Sequence, residues 1–106
     1  MAWVLLFAAG LLEIVWAVAL KQSHGFSRLA PTLIAGAALL GSLALLAQAM
    51  RVLPLSVAYP VWTGIGALGA VLAGVALAGE APSLSRVLAA ALILAGVVLM
   101  KTSSSG

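Results

Sequence analysis

Four long apolar segments joined by short polar connections constrain this chain more than any other feature. Between the polar connections they cover residues 2–20, 29–50, 53–79 and 87–100, and flanking polar residues let the last one extend to about residues 84–102. A helix of about 20 apolar residues crosses a bilayer. Because the connections hold only a few residues, successive helices must run antiparallel as neighbours. We therefore expect an all-α integral membrane protein, with residues 1–106 forming a single four-helix transmembrane domain and helices at about residues 2–20, 30–50, 54–79 and 84–102.

Composition excludes several other classes of protein. The chain is 65% hydrophobic and only 7% charged, whereas a typical soluble domain is roughly a quarter charged. Its cationic residues stand singly at the ends of the apolar segments and form no patch of the kind that binds nucleic acid. With no cysteine, disulfides and thiolate metal sites are impossible. The sequence has no nucleophile–base pair and no cluster of metal ligands, so we expect no enzyme activity, no metal and no cofactor.

The distribution of positive charge bears on how the chain inserts into the membrane. With the N-terminus in the cytoplasm, Arg51 and Lys101 lie inside, and Lys21, Arg28 and Arg86 lie outside. Orientation normally follows an excess of Lys and Arg on the cytoplasmic side. This near-balance fits insertion in both directions equally well as a weakly biased chain that inserts one way. The first segment has no positive N-terminal region and no small-residue cleavage site, so we interpret it as a span and not a signal peptide. By elimination, the expected location is the bacterial inner membrane.

Glu13 is the one charged residue inside the first apolar segment. Placing an Asp at the centre of a membrane helix costs about 2.5 to 3.5 kcal/mol on insertion scales, and Glu should be similar. A carboxylate kept at that depth is expected to face protein or a water-filled cavity and to be functional. The alternative is a neutral acid that is hydrogen-bonded for structure only.

Aromatic and small residues recur at helical spacing around this acid. In the first helix Gly10, Trp16 and Ala17 share the stripe of Glu13, and in the third helix a second stripe holds Tyr59, Trp62, Gly66, Gly69 and Ala73. Ser42 is a lone hydroxyl in the second helix, able to donate to a carboxylate. Aromatic rings beside one anion in a dry cavity make a site for a cation.

Each of these residues has a plainer interpretation. Tryptophan and tyrosine are common anchors at membrane interfaces, and we assign that role to Trp3. Ser42 could bond only to a carbonyl of its own helix. We interpret the polar residues His24, Gln48 and Glu80 as surface residues.

The third and fourth helices carry further features. Pro60 removes the amide that would bond to the Ser56 carbonyl, so we expect a kink or a late helix start there. Gly64 and Gly66 supply flexible backbone in mid-membrane, for a hinge or simply for close packing. In the fourth helix a small-residue surface that includes Ala91, Ala95 and Gly96 predicts a helix–helix contact between subunits.

Three segments carry a resemblance to a known family: residues 12–21 (LEIVWAVALK), 24–29 (HGFSRL) and 58–67 (AYPVWTGIGA). Together they resemble the small multidrug resistance family, and most closely its guanidinium exporter branch. The resemblance implies an antiparallel, dual-topology homodimer that exports guanidinium in exchange for protons by alternating access.

The resemblance also implies roles for individual residues. Both copies of Glu13 would face one central site and bind substrate and proton in turn. Trp16, Ser42 and Trp62 would hydrogen-bond around them, Tyr59 would line or gate the site, and Thr63 and Gly64 would support it. The fourth helices would join the subunits. Pro60 departs from the family, which has a small residue such as alanine there, so we expect an altered range of substituted guanidines.

Two alternatives remain open from sequence. One is a promiscuous exporter of quaternary ammonium or aromatic cations. The other is a non-transporting subunit of a membrane assembly, against which the four spans and paired tryptophans argue.

Overall fold

The computed structural model describes residues 1–77, 79–81 and 83–103, and these form four helices. They are α1 (Ala2–Gln22), α2 (Leu29–Ala49), α3 (Leu55–Leu77) and α4 (Leu84–Ser103). By length and composition all four can cross a membrane. Their ends differ from the expected ones by at most two residues. The largest differences are at the ends of α1 and α3, where α1 continues to Gln22 and Gly79 lies beyond α3.

The helices stand in a shallow row and not in a square bundle. In the described residues α1 packs against α2 and α3, whereas the backbone of α4 approaches only that of α3. The order across the row is therefore α2, α1, α3, α4, and the Cα atoms extend only 16 Å in the thinnest direction. A helix with its side chains is about 10–12 Å across. The parallel helices α1 and α3 thus occupy the centre of the row, although α2 lies between them in the sequence.

The tightest packing lies at one end of the row. The N-terminal half of α1 meets the end of α2 and the start of α3 there, around Leu6, Ala9, Leu46, Ala49, Ala58, Val61 and Trp62. At the opposite end of the row, α1 and α3 finish and residues 23–28 (loop 1) connect α1 to α2. We call this the loop 1 end. Between α1 and α3 that end is open enough to hold a cavity.

Loop 1 is fixed by hydrogen bonds to one buried serine. Ser23 donates its hydroxyl to the Leu20 carbonyl at 2.7 Å and accepts the Phe26 amide at 3.1 Å. The chain reverses through three residues with positive φ: His24, Gly25 and Phe26. Such angles cost non-glycine residues roughly 1–2 kcal/mol each. The Ser23 hydrogen bonds help to offset this cost at His24 and Phe26.

Pro60 lies inside a continuous α3, which begins at Leu55. The late helix start considered from sequence is therefore wrong. The first turn of α3 is supplied by Pro54, whose carbonyl accepts the amides of Val57 and Ala58 at 3.1 and 2.9 Å. The helix therefore begins five residues before Pro60, and the proline removes only one backbone hydrogen bond from it.

Candidate functional site

Glu13 points from α1 towards α3 at a position where α3 has no side chain. A Cβ atom built on Gly66 would lie 3.2 Å from the Glu13 Cβ and would overlap the Glu13 Cγ. Gly10 and Gly69 make similar approaches to Ile65 and Ile14. These glycines let the two helices come together, so the acid is held against protein in the middle of its span.

Trp16 supplies the hydrogen bond to this acid. Its indole N–H donates to the Glu13 Oε1 from one turn further along α1. Both side chains are part-buried. A hydrogen bond to a carboxylate is among the stronger ones in proteins, and it leaves the second carboxylate oxygen available to another donor.

A second hydrogen-bonded chain joins three helices one turn below Glu13. The Trp62 indole N–H donates to the Ser42 hydroxyl at 2.8 Å, and that hydroxyl donates to the Ala9 carbonyl at 2.7 Å. Ser42 is fully buried and Trp62 is 8% exposed. Since Ala9 precedes Glu13 by four residues, this chain fixes the face that α1 presents to its neighbours.

Tyr59 and its neighbours lie on the other side of α3. The Tyr59 ring is 5.5 Å from that of Trp62, with an interplanar angle of 50°, and 52% of Tyr59 is exposed. Tyr59, Pro60, Thr63 and Gly64 line an open groove of about 490 Å³ between α3 and α4. Val97 of α4 closes onto Gly64, where a Cβ would lie 2.6 Å from the Val97 Cγ2.

The structure thus divides the expected site residues into three groups. Glu13, Trp16, Gly10 and Gly66 share the contact between α1 and α3. Trp62 donates to Ser42 and Ser42 donates to the Ala9 carbonyl, and within the single chain neither side chain donates to Glu13. The rest lie along α4 or its groove: Tyr59, Pro60, Thr63 and Gly64, with Ala91 and Ala95 exposed and Gly96 at the groove wall.

Sequence reasoning missed two parts of this arrangement. The Ala9 carbonyl is a partner of Ser42, and no side-chain pattern marks a backbone acceptor. Glu80, interpreted as a surface residue, lines a cavity between α1 and α3 at the loop 1 end. Its signal was available, because Glu13 and Glu80 are the only acids in the chain. Among the described residues no group of three or more His, Cys, Asp and Glu could hold a metal ion.

Comparison with known proteins decides the family. The model of the small multidrug resistance proteins matches residues 1–94. The chain belongs to the small multidrug resistance family. Among its curated relatives, a protein of Yersinia pseudotuberculosis serotype I (strain IP32953) is 54% identical over 98% of this chain and 100% of its own length, and it is named "Guanidinium exporter". Proteins of Citrobacter freundii and Salmonella typhimurium with the same name are 52% identical over 98% of this chain and 99% of their own length.

Membership of this family fixes the general class of the protein. It is a multi-pass bacterial membrane protein of four apolar helices, and its curated relatives are named as exporters. A small-molecule substrate and a lipid bilayer are therefore its partners. The resemblance read from three sequence segments is confirmed across nearly the whole chain.

Proposed function

We propose that this small multidrug resistance protein exports guanidinium across the inner membrane in exchange for protons, by alternating access. The observation that carries the proposal is the carboxylate of Glu13 in the middle of the apolar helix α1, where it accepts a hydrogen bond from the Trp16 indole N–H. The names of relatives that are 52–54% identical over nearly the whole chain support guanidinium as the cargo.

The chemistry of the site suits a small planar cation. Guanidinium presents N–H donors in a plane that matches a carboxylate bidentately, and aromatic rings can stack on its faces. Trp16 donates to one Glu13 oxygen in the single chain, and because that oxygen has a second lone pair, guanidinium can bind bidentately while this hydrogen bond holds the carboxylate in position. Trp62 and Ser42 lie one turn away, and their hydrogen bond stabilises the packing of the helices beside the site.

Exchange follows from competition for one carboxylate. A protonated Glu13 has no charge to hold a cation, and a cation held by the carboxylate favours its ionised form and so opposes binding of a proton. The protein therefore carries one or the other across the membrane. A pH difference of one unit supplies about 1.4 kcal/mol per proton, and the membrane potential adds about 2.3 kcal/mol per charge per 100 mV.

We propose further that the working unit is an antiparallel homodimer, inserted in both orientations. The shallow row of helices supports this, because α4 has no buried residue and contacts α3 alone by its backbone. Its exposed Ala91 and Ala95 are suited to close packing against a second α4, with Gly96 beside them. In such a dimer two copies of Glu13 share a central site, and Tyr59 gates it.

Proteoliposomes that contain the purified protein test the proposal. We expect guanidinium and methylguanidinium to drive exchange that depends on a pH gradient, and tetramethylammonium to drive none. Glu13→Gln should abolish exchange but elute as the same dimer. Full exchange by Glu13→Gln, or a monomeric wild-type protein that transports, contradicts the proposal.

The second candidate is a promiscuous exporter of quaternary ammonium and aromatic cations. The half-exposed Tyr59 ring beside Pro60, on an open groove, favours it. The same liposomes separate the two functions, since a promiscuous exporter moves tetramethylammonium and larger aromatic cations at rates comparable with guanidinium.

A further inference from the structure

A cavity of about 320 Å³ lies between α1 and α3 at the loop 1 end. Binding sites for small molecules occupy roughly 300–1,000 Å³, so it is large enough for a small cation with water. Its walls begin at Ala17, one turn beyond Glu13, and at Ala70, one turn beyond Gly66. The cavity therefore lies between the same two helices as Glu13, one turn nearer to the loop 1 end.

Glu80 closes one wall of this cavity. Gly79 has φ +69°, a conformation that glycine adopts without strain, and this turn sends the chain back over α3. The Glu80 amide then donates to the Gly74 carbonyl at 3.1 Å. The carboxylate lies flat on α3, with Oε1 only 2.5 Å from the place a Gly74 Cβ would occupy. Among the described residues, no side chain or backbone group bonds to this carboxylate.

The charges around the cavity give this carboxylate a specific task. The chain carries a net charge of +3, and Lys21 and His24 line the wall opposite Glu80. A cation approaching Glu13 from this end must pass Lys21, which repels it. The last carbonyls of the parallel helices α1 and α3 add partial negative charge at the same end. Among the described residues at this end of the row, Glu80 is the one acid that can offset Lys21 and Arg86, which lines a neighbouring cavity with Glu80.

We propose that Glu80 is a recruitment site, which binds the guanidinium-class cation at the mouth of the α1–α3 cavity before it moves to Glu13 or after it leaves. This inference rests on the proposed function. Gly66 and Gly74 are eight residues apart on α3, so the two carboxylates act about two turns, or roughly 12 Å, from each other along the helix. In an antiparallel dimer one Glu80 serves each side of the membrane.

A recruitment role has a kinetic signature that a structural role lacks. An exposed charge at the rim of a site mainly changes the association rate, and salt weakens its effect. At about 0.01 M salt we expect Glu80→Gln to raise KM for guanidinium roughly 3- to 10-fold, which is within the range of electrostatic steering. Vmax should change less than about twofold. At about 0.15 M salt, where the Debye length is about 8 Å, the difference from wild type should largely disappear.

Matched variants separate local charge from other effects. Glu80→Asp keeps the charge and should restore KM. Gln48→Lys changes the net charge by the same amount at an exposed position on α2, away from the cavity, and should leave KM unchanged. Lys21→Gln removes the repelling charge and should lower KM, which tests the proposal independently if Glu80→Gln does not elute as the wild-type dimer.

Two results would overturn this inference alone. They are a wild-type KM for Glu80→Gln and Lys21→Gln at low salt, and an equal rise in KM for Gln48→Lys and Glu80→Gln. A wild-type protein that moves no guanidinium would instead overturn the proposed function.

Discussion

Gly66 of α3 lies directly against the side chain of Glu13 of α1, so closely that a Cβ at position 66 would overlap the Glu13 Cγ. The acid therefore occupies the space of a missing side chain, and the position of its carboxylate depends on that vacancy. This contact also explains why a glycine stands in the middle of a membrane helix at this point.

Replacing Gly66 with alanine should displace Glu13. Overpacking a close contact costs typically 1–3 kcal/mol, and the carboxylate, which ends a flexible side chain, must move away from Trp16. We expect guanidinium exchange to fall at least about tenfold, since an interaction of 1.4 kcal/mol is a factor of ten. The control is Gly36→Ala on α2, where a new Cβ would meet nothing within 4 Å. Wild-type exchange by Gly66→Ala, measured in liposomes, would show that the contact is not needed.

Replacing Trp16 with phenylalanine removes the N–H donor to Glu13 and keeps an aromatic ring. A hydrogen bond to a charged group contributes about 1.5–3 kcal/mol, so we expect guanidinium affinity to fall by roughly 10- to 150-fold. Trp3→Phe is the matched control, because Trp3 lies near Phe7 and Lys101 and far from the acid in sequence. Titration calorimetry of both variants in detergent provides the comparison, and equal affinities would contradict the assigned role.

The chain Trp62–Ser42–Ala9 should behave as one energetic unit. Ser42→Ala leaves the buried Trp62 N–H and the Ala9 carbonyl without this partner, at a cost of about 1–3 kcal/mol. Trp62→Phe removes the same donor. We expect the double variant to lose less stability than the sum of the two single variants, as measured by unfolding in mixed micelles, whereas exposed Ser56→Ala should change little. Strict additivity would mean that the two side chains are not coupled.

Replacing Pro60 with alanine restores an amide that can bond to the Ser56 carbonyl. Because Pro60 lines the α3–α4 groove beside Tyr59, we expect the relative rates for guanidinium and a series of alkylated guanidines to change more than the stability does. The measurement is the ratio of exchange rates along that series in wild type and variant. Identical ratios would place Pro60 outside the determinants of substrate range.

The fold follows closely from sequence because membrane-spanning helices are set by local composition. Four apolar segments fix four helices, and only the exact ends at Gln22 and Leu77 depend on the capping of loop 1 and the turn at Gly79. The order α2, α1, α3, α4 could not be derived. The expectation that successive helices pack as neighbours is wrong for α2 and α3, which touch little, because a short connection brings together only the helix ends that it joins.

The candidate site was predictable where one residue type is decisive and not where backbone takes part. Glu13 stands out as an acid within an apolar segment, and Trp16 follows at helical spacing. The partner of Ser42 is the backbone carbonyl of Ala9. Because every residue has a backbone carbonyl, the sequence does not mark this acceptor, and we predicted a carboxylate as the partner instead. Glu80 was assigned to the surface because its contact with Gly74 depends on a turn that reverses the chain.

Proton release on guanidinium binding tests the central claim most directly. Purified wild-type protein in weakly buffered detergent solution, at a series of pH values from mildly acidic to mildly alkaline, is mixed with guanidinium while a pH indicator is followed. If cation and proton compete for Glu13, guanidinium must release protons from any molecules in which this carboxyl is protonated before binding, and it must release none in Glu13→Gln. Guanidinium that binds the wild-type protein without releasing protons at any pH would contradict the account.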